Sequence, residues 1–181
     1  MRFFVKIMAA LLLIFVIVTI HLGISYVFPF PWNKINIIFL AIVLSLVLFE
    51  SGISVWITFF VHLFVEVYAP QPFGIIIFSS TISILCVYWL YRHLFTNRSW
   101  YSVMAMTFVA LILYRLLYTI LLSILYFWSG KDSIPFLELS AIYAWELFLT
   151  TVVSTLFYGI LQLVSKPIQR KKIKKMVWTK I

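Results

Sequence analysis

The chain of 181 residues contains one cysteine, five glycines and five acidic residues. Each scarcity excludes something. A lone Cys86 rules out an internal disulfide, and no cysteine–histidine cluster is present to build a structural metal site. Charged residues are 10% of the chain and hydrophobic ones 65%, whereas a soluble domain carries about 25% charged residues. A soluble fold this apolar could not cover its own surface, so lipid must cover it. There is no Ser–His–acid set, no G-x-S-x-G elbow, no phosphate-binding glycine loop and no H-E-x-x-H. The sequence therefore predicts no enzyme, and nothing in it calls for a cofactor or a metal. Glycine is too scarce for the small-residue seams by which membrane helices dock most closely.

What the chain does have is clustered positive charge. The formal net charge is +9, and seven of the fourteen basic residues lie in the final sixteen positions: Lys166, Arg170, Lys171, Lys172, Lys174, Lys175 and Lys180. Arg2 and Lys6 open the chain, and Arg92, His93 and Arg98 interrupt it near the middle. Nearly everything between is apolar. Six apolar segments can be read, at residues 6–28, 35–49, 53–68, 73–91, 101–128 and 139–164. Pro29, Pro31, Pro70, Pro72 and Pro135 mark the breaks between some of them, and Pro167 is expected to end the last. With the first residues inside, an alternating topology puts all three basic clusters on the cytoplasmic side, as the positive-inside rule requires. The expected fold is an all-α polytopic bundle of about six transmembrane helices with both termini cytoplasmic. Residues 1–165 form the membrane domain and residues 166–181 a polybasic tail.

The first segment is long enough to span, and no small-x-small cleavage site follows it, so it reads as a retained helix rather than a signal peptide. Segments two and three are short for a full crossing. They either span with local thinning of the bilayer or form a re-entrant pair. The tail faces anionic lipid, and its charge is not a nucleic-acid-binding face.

Arg115 lies near the middle of the longest segment, roughly 20 Å from either end at 1.5 Å per residue, too deep to snorkel easily. A charge at that depth must face the protein interior and be paired. Glu146 is the nearer partner in depth, and Glu66 is the alternative. A structural ion pair is expected in preference to a ligand site. Thr150, Thr151 and Ser154 continue the polar stripe of Glu146. His62 and Glu66, four apart, share a helical face, but two such groups make a weak metal signal. His21 is expected at the membrane interface, and Glu50 solvated at a tight turn.

The stretch 64–74, Phe64-Val65-Glu66-Val67-Tyr68-Ala69-Pro70-Gln71-Pro72-Phe73-Gly74, carries a resemblance. A short apolar span leads to an acidic residue, then a proline loop, then a glycine opening the next span. That span ends in the basic joint Tyr91-Arg92-His93. In this, residues 50–118 resemble the MreD family of rod shape-determining membrane proteins. The acidic position, often Asp in that family, is Glu66 here, and only Gly52 supplies glycine to the third span. The resemblance implies a non-enzymatic scaffold of the cell-elongation machinery in the bacterial inner membrane. Its partner would be a bitopic MreC-like protein, with which it maintains rod shape and organises cell-wall synthesis. Glu66, Pro70, Pro72 and Gly74 are then the candidate partner-binding residues: the prolines fix the helix exit, and Gly74 permits close backbone approach. The family is also similar in architecture to the substrate-binding membrane subunit of energy-coupling-factor transporters, which supplies the alternative function. A membrane protein whose basic tail simply binds anionic lipid is a third reading.

Overall fold

The computed structural model describes residues 2–94, 99–129 and 136–178, with side chains described for Met8, residues 11–94, 99–129 and 139–164. It is all-helical, with no strand among the described residues. The helices are α1 (Arg2–Val27), α2 (Ile37–Phe49), α3 (Ile53–Val67), α4 (Ile75–His93), α5 (Trp100–Trp128) and α6 (Phe136–Trp178), and one 3-10 turn, Trp32–Lys34, precedes α2. The segments Ile75–His93, Trp100–Trp128 and Leu139–Val164 are long and apolar enough to cross a membrane, which points to a membrane protein. Leu11–Val27, α2 and α3 are shorter apolar helices.

α2 is the hub. It has only 13 residues, about 20 Å at 1.5 Å per residue, and it touches α1, α3, α5 and α6. Its Ile38, Phe39, Ile42, Val43, Leu44, Leu46 and Val47 are all buried. A helix apolar all round belongs inside protein. Most of its surroundings are therefore other helices, which the sequence pattern does not reveal.

α3 divides its surface sharply. Ser54, Thr58, His62 and Glu66 recur every four residues and are buried, while Trp56, Phe60, Phe64 and Tyr68 recur at the same interval and are exposed. This is the i, i+4 geometry of a helix with one protein-facing and one outward stripe. The polar stripe is partly self-satisfied: the Thr58 hydroxyl donates to the Ser54 carbonyl at 2.7 Å, and His62 Nδ1 donates to the Thr58 carbonyl at 2.9 Å.

Two expectations about helix ends change. α6 runs through Pro167 to Trp178, so the proline does not stop it. One proline removes a single backbone donor, and the Gln, Arg and Lys residues that follow favour helix. α4 begins at Ile75 rather than residue 73, because Gly74 sits at φ +105° in the left-handed region.

Candidate functional site

The charged centre is built from α2, α5 and α6. Arg115 on α5 donates from Nε to Glu146 Oε2 on α6 at 2.6 Å, and its Nη2 forms an ion pair with the same oxygen. The Glu146 side chain is 4% exposed and that of Arg115 24%. The ring centroids of Tyr143, Tyr114 and Tyr118 stand 4.5, 5.0 and 5.7 Å from the guanidinium carbon. Electron-rich ring faces complement a cation that has left water.

The other oxygen of Glu146 belongs to a residue that the sequence reading missed. Asn36 Nδ2 donates to Glu146 Oε1 at 2.8 Å, Asn36 Oδ1 accepts from the Phe39 backbone at 3.2 Å, and the Asn36 N–H donates to Thr150 Oγ1 at 2.8 Å. Asn36 thus caps α2 and ties that cap to α6. Glu146 lies seven residues into the apolar span Leu139–Val164, about 10 Å deep. The connector before α2 meets α6 at that level through the Asn36 N–H and side chain. The Glu146 carboxylate also stands at the positive end of the α2 dipole. An asparagine immediately before an apolar helical run is a capping signal, and that signal was available in the sequence.

His21, expected at the membrane interface, packs against the protein. It is partly buried within electrostatic reach of Glu146 and Arg115. Its Nδ1 and the Tyr143 hydroxyl are buried and find no hydrogen-bond partner among the described residues. Further down α6, Ser154 donates to Thr107 Oγ1 of α5 at 3.0 Å.

Glu66 is not part of this centre. It forms a second one, at the junction of α3 and α4. Its Oε1 accepts from the backbone N–H groups of Gly74 at 2.7 Å and Ile76 at 3.0 Å, and its Oε2 from that of Ile77 at 3.1 Å. Glu66 as a whole is 3% exposed. A helix N-terminus carries unpaired N–H groups and positive potential, and a carboxylate satisfies both. The reason for Gly74 is corrected accordingly. A Cβ there would meet nothing within 4 Å, so the glycine is required by its left-handed backbone and not by close approach. Pro70 and Pro72 lie in the loop between, where Tyr118 donates to Gln71. His62 Nδ1 is engaged with the Thr58 carbonyl and Glu66 with those backbone donors, and no group of three metal-binding side chains exists among the described residues.

Glu50, at φ 51°, ends α2 in a left-handed turn and accepts from the Tyr91 hydroxyl at 3.2 Å. It is therefore exposed but engaged. Arg92 and His93 end α4, with Arg92 over the Tyr88 ring at 5.7 Å and His93 stacked on Trp89 at 4.7 Å. Cys86 is exposed on α4. The expected lipid-binding side chains Lys166, Arg170, Lys171, Lys172, Lys174, Lys175 and Lys180 lie outside the described residues, as do Arg2, Lys6 and Arg98.

Arg115 neutralises Glu146, Asn36 joins the pair to α2, and Glu66 is saturated by three backbone donors. The family models, the curated proteins and the solved structures compared with this chain give no match.

Proposed function

We propose that the chain is a non-enzymatic, multi-pass scaffold of the bacterial inner membrane, similar in role to MreD, acting with a bitopic MreC-like protein in the cell-elongation machinery. On this reading the six helices all cross, and both termini and the basic joint after α4 face the cytoplasm. The observation that carries the proposal is the Glu66 cap. The acidic residue, the proline loop and the opening glycine are the features on which the resemblance rests, and here they form one structural device. Glu66 reaches over the loop to bind Gly74, Ile76 and Ile77, fixing the angle between α3 and α4. A fixed corner bearing the exposed ridge Trp56, Phe60, Phe64 and Tyr68 is what a docking protein needs. The interior supports the same reading, because its charged groups are engaged with one another or with backbone, as in a framework.

The test is depletion in the native rod-shaped host. Rounded cells are expected. Cells that stay rod-shaped, together with a vitamin-sized molecule bound to the purified protein, would replace this reading with the transporter subunit.

A further inference from the structure

A groove of about 340 Å³ opens sideways between α1, α2, α3 and α6, walled by Leu13, Ile17, Ala41, Leu48, Ile57 and Leu161 among others. Its surface is almost wholly hydrocarbon. The one hydroxyl on its wall, Ser45, is engaged with the Ile42 carbonyl at 2.8 Å and with Ser54 Oγ at 2.9 Å. Along it runs α2, which starts beside Glu146 and stops at Phe49 after 13 residues, whereas α1 and α6 have 26 and 43 residues.

We propose that this groove holds one acyl chain of an anionic phospholipid. Two observations select that occupant. First, a wall with no free polar group rewards hydrocarbon and would strand any polar ligand group without a partner. Second, the groove lies toward the basic end of the molecule. Lys6 is seven residues before Leu13 on α1, and Lys166 is five residues after Leu161 on α6, about 10 Å and 8 Å along the helices. A chain lying in the groove puts its phosphate toward the helix ends whose sequence carries those lysines, where anionic headgroups are favoured.

The experiment is native mass spectrometry of the full chain, purified in mild detergent and exchanged with phosphatidylglycerol or phosphatidylcholine. Wild type is expected to retain one phosphatidylglycerol and to hold phosphatidylcholine at least severalfold less. Ala41→Phe and Leu161→Trp fill the groove from opposite walls, and each is expected to lower retention about tenfold. In wild-type protein, a phosphatidylglycerol bearing a diazirine on its acyl chain should crosslink to peptides of α1, α2 or α6. Equal retention of the two lipids overturns the proposal. So does unchanged retention in either variant, or crosslinking confined to α4 and α5.

Discussion

Replacing Asn36 separates an ordinary helix cap from a cap wired to a buried ion pair. Its side chain does two things: Oδ1 caps α2 through Phe39, and Nδ2 donates to Glu146. Asn36→Ala loses a cap, about 1 kcal/mol, and a hydrogen bond to a charged acceptor, about 1.5–3 kcal/mol. The expected loss is therefore roughly 2–4 kcal/mol. Asn36→Asp keeps the capping oxygen but sets a second carboxylate where the Glu146 carboxylate now accepts at 2.8 Å. Two like charges 4 Å apart repel by about 4 kcal/mol at an effective dielectric of 20, and the donor is lost as well. At an exposed cap Asp is as good as Asn and better than Ala. Here the order is inverted, with wild type most stable, then Asn36→Ala, then Asn36→Asp. Unfolding in mixed micelles, followed by tryptophan fluorescence against added denaturing detergent, measures the three variants side by side. An Asn36→Asp variant as stable as Asn36→Ala, or more so, would refute the wiring of this cap to Glu146.

Three further outcomes follow from the same geometry. Arg115→Leu should destabilise the protein by about 3–5 kcal/mol, because it leaves Glu146 charged, buried and uncompensated; the double change with Glu146→Gln should recover part of that loss in the same assay, and no recovery would argue against the pairing. Gly74→Ala should lower stability by about 1–2 kcal/mol through left-handed strain alone, since no neighbour stands within 4 Å, and Gly74→Asn should lose less than Gly74→Val, with the reverse order arguing against a backbone cause. In a Cys86→Ser background, cysteines at Pro72 and Ser133 should react with an impermeant thiol reagent from outside and one at Lys174 should not; outside labelling at position 174 would overturn the orientation.

Long apolar runs and their breaks show in composition and periodicity, so the helices fall close to the segments read from the sequence. Arg115 and Glu146 were also legible, because a charge deep in an apolar span demands a partner and few acids are available. Glu66 was misread for an instructive reason. A carboxylate invites a search for a cation, but its partners here are three backbone N–H groups, which leave no trace in residue identity. Gly74 leaves one, yet glycine alone does not distinguish close approach from a left-handed turn. Asn36 was overlooked because it falls inside the apolar segment read as residues 35–49, whereas the helix begins one residue after it, at Ile37. The shortness of α2 suggested a span with local bilayer thinning or a re-entrant pair; what the sequence did not show is that this helix is packed among α1, α3, α5 and α6, a tertiary fact that no local pattern contains.

The scaffold reading is tested most directly by what the intact protein holds on to. The full chain, solubilised in mild detergent from membranes of its own host, should bring down a single-span MreC-like protein. Gly74→Leu, which strains the corner that Glu66 fixes, should reduce that recovery severalfold while the chain still inserts in the membrane. Recovery of no bitopic partner with the wild-type chain, under conditions in which its own fold survives, would contradict the account.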